Sequence, residues 1–345
     1  MSAARIRLGD LSVGLISCLA EFADNAGLDT TALLARYGMD AHRLAQADAR
    51  LSIARYMHFG HTLRQLSGDP AIGLKAARYS RLSSLGLAGA AARHAPDIGS
   101  AMNVLTRLEP LFLQNYRGQS SVHADGNGLW LRFYSISPYN AYNCFAVDTQ
   151  LAGWCRQLSE VAGCSIVPDR VQIEFAAPAY ADCYSTTFGC KVEFEAPHNQ
   201  IRLSEATVAL PGADHCPTTY AQLLAVCERE LQSRTRTYTL RERVVQLLGP
   251  LLHGSEPELD DVARELNLPA WTLRRKLAEE GTGFRQLLAD TRRDLAVAYI
   301  RDTELSFGEI AYLLGFSSAE AFQRAFKRWC DSTPGDYRRA ARSER

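Results

Sequence analysis

The sequence has no net charge to spare: 38 Lys and Arg stand against 38 Asp and Glu in 345 residues. A protein that coats nucleic acid by bulk charge is thereby disfavoured, although a neutral total still permits a local basic face. Lysine is scarce, confined to Lys75, Lys191, Lys276 and Lys327, so nearly every cation is a guanidinium. No apolar run approaches the ~18 residues that span a bilayer. Arg5 and Arg7 ahead of the apolar stretch 11–20 faintly imitate a secretory signal. Glu21-Phe22-Ala23-Asp24 continues that stretch with helical polarity and offers no cleavage site, so an amphipathic helix is expected there. The nine cysteines are scattered and odd in number, and none has C-x-x-C or Cys/His zinc spacing. Buried thiols in a reducing cytoplasm are expected, with a thiol sensor as the alternative. Nucleophile elbow, phosphate loop, metal-ligand spacing and clustered acid/base pair are all missing, so no catalytic residue, metal or cofactor is expected.

What remains is an ordinary soluble composition, 47% hydrophobic and 22% charged, which argues against a disordered or fibrous chain. The length suits about two domains of roughly 150 residues. From Leu11 to about Leu113 the texture is mostly helical, with amphipathic runs over 31–37 and 53–66 punctuated by Gly27, Gly38 and Gly68-Asp69-Pro70. Between Gly118 and Leu203 it mixes. Gly126-Asn127-Gly128 signals a tight turn before a strand over 129–134, and a helix is expected over 147–161. Period-two alternation marks half-buried strands at 171–175, 192–194 and 201–203. The expected organisation is an α+β domain for effector binding and dimerisation over 1–215, a linker helix and linker over 216–239, and an all-α domain over 240–345. A helix is expected over 218–231, and the polar stretch 232–239 is read as the linker.

The all-α end holds two stretches of one design. Ser255-Glu-Pro-Glu258 reads as a capping box ahead of Leu259, Val262, Ala263 and Leu266, with Asn267-Leu268 as a turn and a new helix from Pro269. Ser306-Phe-Gly-Glu309 reads likewise ahead of Ile310, Ala311 and Leu314, with Gly315-Phe316 as the turn and a helix from near Ser317. Each is a helix-turn-helix unit, and a bridging helix over 284–300 joins them. The alanines Ala263 and Ala311 lie 48 apart, whereas Leu273 and Phe322 lie 49 apart, so the second unit gains one residue around its turn. Leu273 with Leu277, and Phe322 with Phe326, are i, i+4 pairs expected in the core. Trp271, Arg274 and Arg275 project from another face of the first such helix, and Glu320, Gln323, Arg324 and Lys327 from that of the second. Arginine forks suit guanine O6/N7 or phosphate, glutamine suits adenine, and Trp271 suits the backbone or a thymine methyl. From 270 to 345 there are 14 Lys and Arg against 11 Asp and Glu, an excess that favours a few placed contacts over bulk attraction. A solvated face for Arg274 and Arg275, a core place for Trp271 and a Ser317–Glu320 capping box are the alternatives. Two such units in tandem weigh against them.

At Ile310-Ala-Tyr-Leu-Leu-Gly-Phe316, at Phe322-Gln-Arg-Ala-Phe-Lys-Arg-Trp329 and at Thr333-Pro334-Gly-Asp-Tyr337-Arg338 the chain resembles the AraC/XylS family of bacterial transcription regulators. Gly281-Thr-Gly-Phe284 is similar to that family's connection into the bridging helix. The resemblance implies that helices near 270–280 and 318–329 enter consecutive major-groove faces, about one turn or ~34 Å apart. Trp271, Thr272, Arg274 and Arg275, with Glu320, Gln323 and Arg324, then fall on the base-contacting face, and Lys327 on a phosphate. Pro269 departs from the family's usual serine cap, and Cys330-Asp331 from an aromatic-Gly pair, although Asp tolerates the left-handed helix end. The front of the chain is similar to the long arabinose-binding-like, ornithine-regulator type of amino-terminal domain. The matching pieces are Gly27-Leu28, Leu33-Leu34 through Gly38-Met39, Gly68-Asp69-Pro70 with Gly73-Leu74, and Phe188-Gly189 before Val192-Glu-Phe194.

The expectation is a cytoplasmic, sequence-specific regulator, an activator in the first instance, that binds double-stranded promoter DNA as a homodimer and contacts RNA polymerase, with no membrane partner. A small-molecule effector would sit among Trp130, Phe133, Tyr134, Tyr139, Tyr142 and Phe145, the densest aromatic cluster, whose other reading is strand core plus loop. His94, His123, His198 and His215 are taken as isolated structural or solvated groups. An effector-independent regulator and a thiol-responsive one remain open beside the main expectation, as does an enzyme fused to a regulator.

Overall fold

The computed structural model describes residues 9–343 apart from 47, 116–117, 136–138, 141, 237–238, 253–255 and 304. Arg5, Arg7 and Ser255, singled out above, lie outside the described residues. By internal contacts the chain divides into two units, Asp10–Gln114 with Gln119–Ser233, and a second within Arg234–Arg345.

In the first unit the apolar stretch after residue 10 is core. Leu11, Val13, Ile16 and Leu19 are buried, carried by strand β1 (Gly9–Ser12), a short turn and the helix Ser17–Asn25. Strands β1, β2 (Arg50–Ser52) and β3 (Leu113–Asn115) form a small sheet in the order β2-β1-β3. The sequence reading missed it because strands of three or four residues leave too little alternation to set a period against the flanking helices.

The larger sheet has the order β4-β5-β8-β6-β7, from β4 (Ser121–Ala124), β5 (Gly128–Phe133), β6 (Arg170–Gln172), β7 (Lys191–Glu193) and β8 (Asn199–Ser204). The four strands expected near 129, 171, 192 and 201 are all present. Gly126, at φ +84°, makes the turn between β4 and β5, a conformation that favours glycine. Leu131, Ile201 and Val171 stand in register across β5, β8 and β6 and are fully buried. The period of two therefore turns one face of this sheet inward, where Phe133 meets Trp154 of the helix Cys144–Ala162 edge-on at 6.0 Å. That helix also lies close against the helix Ile72–Ala76. A Cβ on Gly73 would come within 2.5 Å of the Phe145 carbonyl, so only glycine permits this approach.

The polar stretch expected as a linker is partly helical. The helix runs Pro217–Arg236, seating Cys227 in the first unit's core with Tyr220, Leu223, Leu224 and Leu231 packed beside it. Its last turn lacks apolar periodicity because helical hydrogen bonding continues after the core contact ends.

The second unit is all helix among the described residues. Leu240–Leu251 begins at a Thr239/Glu242 capping box. Leu259–Glu265, Ala270–Glu279, the bridging helix Phe284–Asp302, Phe307–Leu313, Ala319–Cys330 and Pro334–Ser343 follow. The core is formed by Val262, Leu273, Leu277, Leu288, Leu295, Tyr299, Ile310, Leu314, Phe322 and Phe326. One cap differs from expectation. The first short helix starts at Leu259 with Glu258 as its N-cap, and Asp261 reaches back to the Glu258 N–H at 3.3 Å. The acidic pair at 258 and 261 takes the place assigned to Ser255 and Glu258, since extended backbone at Glu258 delays the helix by one turn. The Ser306/Glu309 box forms as read.

Candidate nucleic-acid interface

Both units of the tandem turn in the same way. In the first, the Leu268 N–H donates to the Ala263 carbonyl at 2.9 Å and the Asn267 N–H to the Arg264 carbonyl at 3.0 Å. In the second, Phe316 donates to Ala311 at 2.9 Å and Gly315 to Tyr312 at 3.0 Å. These are paired six-to-one and five-to-two bonds around a left-handed residue, Asn267 at φ 53° and Gly315 at φ 65°. One residue separates Asn267 from the next N-cap, Pro269, and two separate Gly315 from Ser318. The extra residue read from the 48 and 49 spacings thus lies in the second turn.

The second helix of each unit is two-faced. Leu273, Leu277, Phe322 and Phe326 are fully buried. On the first of these helices Trp271 is 67% exposed, Arg274 and Arg275 are exposed, and Thr272 is half-buried. A core place for Trp271 is therefore overturned: the stripe through Leu273 and Leu277 leaves the indole on the far side. Arg275 donates to Glu279 at 2.8 Å, one turn on. Pro269 caps this helix with backbone alone, its carbonyl accepting from Leu273 at 3.0 Å.

On the second, Glu320, Gln323, Arg324 and Lys327 are all exposed. Its cap is Ser318, whose hydroxyl accepts from the Ala321 N–H at 3.2 Å. Ser317 therefore forms no capping box with Glu320, because the longer turn moves the helix start by one residue. The Ser318 hydroxyl, the first-turn backbone and nearby Arg324 hold the Glu320 carboxyl below its usual range. Asp331 closes the helix at φ 51°, the left-handed role its residue type allows. Among the described residues Arg274, Arg324 and Lys327 join no ion pair.

Two arginines hold this framework: Arg292, which the sequence reading passed over, and Arg338, quoted there only as part of the closing motif. Arg292 of the bridging helix is buried. It donates from Nε to the Leu314 carbonyl at 2.8 Å, from Nη2 to Gly315 at 2.9 Å and from Nη1 to Glu256 at 3.0 Å. Its guanidinium lies 5.0 Å from the Phe316 ring centre. Arg338 donates to the carbonyls of Ile300 at 3.3 Å and Leu305 at 2.6 Å and covers Phe307. The available signal was register: Arg292 interrupts the apolar stripe Leu288, Leu295, Tyr299, a position that a charge occupies only when partnered.

The aromatic residues assigned to an effector are dispersed. Phe133 faces the sheet core, and Trp130 stands on the opposite face with its indole N–H on Asp125 at 2.8 Å. Phe145 and Tyr142 are buried against the helix Ile53–Ser67, Tyr142 beside His58 and His61 at 5.0 and 4.8 Å between ring centres. Tyr139 donates to Glu174 at 2.7 Å and accepts from Asn199 at 2.6 Å. Tyr134 is half-buried beyond the end of β5. Strand alternation sends neighbours to opposite faces, so closeness in sequence did not become one pocket.

The histidines are less isolated than read. His215 is hydrogen-bonded to the His94 carbonyl at 2.9 Å and His94 to the Asp214 carbonyl at 2.7 Å, which ties 94 to 215. Partial burial, with the charge of Arg132 nearby, keeps His123 and His198 below their usual range. A further polar centre is Asp148, fully buried on the helix Cys144–Ala162 and receiving the hydroxyls of Tyr180 at 2.9 Å and Tyr184 at 2.5 Å. Burial nevertheless pushes its carboxyl up to about 7. No group of three or more His, Cys, Asp and Glu among the described residues could hold a metal ion, and no described helix is long and apolar enough to cross a membrane.

Residues 27–211 match the family model described as the arabinose-binding domain of AraC transcription regulator, and residues 262–340 match a helix-turn-helix domain. An ornithine utilization regulator of Pseudomonas aeruginosa is 29% identical over 89% of this chain and 93% of its own. The regulator VirS of Mycobacterium tuberculosis is 26% identical over 90% and 91%. Among solved structures, the transcriptional regulator CdpR of Pseudomonas aeruginosa aligns with TM-score 0.44 at 22% identity, covering 89% of this chain and 96% of that one.

Proposed function

The chain belongs to the AraC family of DNA-binding transcription regulators, and on that premise we propose that the helices Ala270–Glu279 and Ala319–Cys330 read two successive major-groove segments of a promoter. The observation that carries this reading is their shared build: each buries an i, i+4 apolar pair and leaves an arginine-bearing side exposed. Arg274, Arg275 and Arg324 are assigned to guanine edges or phosphate, Gln323 to adenine and Glu320 to the cytosine amino group. Trp271 is assigned to a thymine methyl, with Thr272 beside it at the helix start, and Lys327 to a phosphate.

The amino-terminal unit is assigned effector sensing and dimerisation, over roughly 1–215 with 216–239 leading to the reading domain at 240–345. An effector acts only as far as it binds the DNA-competent arrangement better than the incompetent one. Activation through RNA polymerase, in the cytoplasm, without catalysis of its own, completes the reading.

Footprinting with salt titration tests it. Arg274→Ala or Arg324→Ala should cost about 1–3 kcal/mol at the specific site and little on random DNA. Lys327→Ala should weaken both equally and reduce the salt slope by about one. Equal loss on both DNAs for the arginine variants would contradict base reading.

A further inference from the structure

The first unit holds a cleft of about 280 Å³ among the helix Ser17–Asn25, the turn after Ser67 and the helix Ile72–Ala76 with the turn beyond it. It is lined by Phe22, which is buried, and by Tyr79, which is half-buried. One wall carries Asp69. Its carboxylate accepts from the Ala71 N–H at 2.9 Å and pairs with the Lys75 ammonium, so both oxygens are engaged and those two charges cancel. Arg78 lines the same cleft and joins no ion pair among the described residues. It is the uncompensated cation of the site. Asn25 donates its amide nitrogen to the Glu21 carbonyl at 2.7 Å, which leaves its side-chain oxygen as an acceptor at the rim.

We propose that this cleft is the effector site and takes a small organic carboxylate, its acid group on Arg78 and its carbon body against Phe22 and Tyr79. The inference rests on the effector-sensing reading of the amino-terminal unit. A guanidinium binds a carboxylate through two parallel charge-assisted bonds, which an aliphatic or uncharged ligand cannot supply. The volume admits a compact metabolite. Asn25 then selects, among such acids, those with an N–H or O–H near the carboxylate.

The test is calorimetric titration of the full chain, without DNA, against a panel of two- to six-carbon amino, hydroxy and dicarboxylic acids at up to 10 mM (about the weakest binding worth assigning), each paired with its amide. At least one acid should bind and its amide should not. Arg78→Gln should weaken that acid at least about tenfold, the loss of one charge-assisted pair, and Arg78→Lys should restore part of the loss. Both variants should melt with the parent when no ligand is present, since Arg78 is exposed. Absence of any binder in the panel overturns the proposal, and so does binding that Arg78→Gln leaves unchanged. A parallel promoter-binding titration separates the two readings. If the acid binds but DNA affinity does not respond, the cleft stands and effector sensing falls. If DNA affinity responds to an acid that Arg78→Gln still binds, sensing stands and the cleft falls.

Discussion

Arg292 and Gly315, 23 positions apart, are joined by a 2.9 Å hydrogen bond from the guanidinium to the glycine carbonyl. Gly315 is the left-handed residue of the second helix-turn-helix, and the carbonyls at helix ends are the ones a helix leaves unsatisfied. The bridging helix thus supplies the donors that close the neighbouring turn and fix the angle at which Ala319–Cys330 leaves it. Arg292→Leu, similar in apolar bulk, should cost about 2–3 kcal/mol by leaving the Leu314 and Gly315 carbonyls buried and unpaired. Arg292→Lys should recover only part of this, because an ammonium lacks the planar fork. Urea denaturation followed by circular dichroism measures both.

Glu279 holds Arg275 at the surface by an exposed i, i+4 pair. Glu279→Gln should change stability by less than about 0.5 kcal/mol. It removes a negative charge beside the proposed DNA face and frees a guanidinium, so affinity should rise several-fold on specific and random DNA alike. The salt slope should steepen by up to about one. A loss confined to the specific site would mean instead that the pair orients Arg275 for a base.

Asp148 makes stability depend on pH. Its carboxyl stands near 7 in the folded chain against about 3.8 when unfolded. Between those values the folded state holds a proton that the unfolded state has released. Its contribution is complete below the unfolded value and is lost as pH rises through about 7. The difference in unfolding free energy between parent and Asp148→Asn should fall on the order of 2–4 kcal/mol from pH 4 to pH 8. Glu109, also buried and raised to about 7, adds a fall of the same sign that the difference curve removes. A flat difference curve would show that the Tyr180 and Tyr184 hydroxyls keep Asp148 ionised throughout.

Cys216 differs from the buried thiols. It precedes the helix Pro217–Arg236, where the Thr219 hydroxyl and the first backbone N–H groups lower its thiol. Burial pushes Cys18 up to about 11 and Cys155 up to about 12. Iodoacetamide at pH 7.5 should label Cys216 well before Cys18 or Cys155, since the thiolate is the reacting form. Peptide mapping by mass spectrometry reads the order. Unchanged DNA binding after Cys216 is labelled would count against a thiol-responsive regulator built on this residue.

Much of the proposed reading surface was legible in the sequence because it depends on local spacing. The pairs Leu273 with Leu277 and Phe322 with Phe326 set which side faces inward, and the intervening Arg274 and Arg324 then point outward whatever the rest of the chain does. The 48 against 49 spacing located an inserted residue without any coordinates. The aromatic cluster between 130 and 145 failed for the opposite reason. Its members fall on two faces of a strand, a loop and a helix, and only the pairing of β5 with β8 and the packing of the helix Cys144–Ala162 decided their directions.

The order of residues alone determined two helical hairpins, the Ser306/Glu309 cap, their inward and outward sides and the four principal strands, since hydrogen-bonding period acts over a few positions. Tertiary structure alone decided that Arg292 closes a turn 22 residues away, that Asp148 is buried between two tyrosines, and that Phe22, Asp69, Arg78 and Tyr79 share a cleft. Those placements depend on long-range packing, which aligns residues by shape and burial and leaves no repeat along the chain to be read.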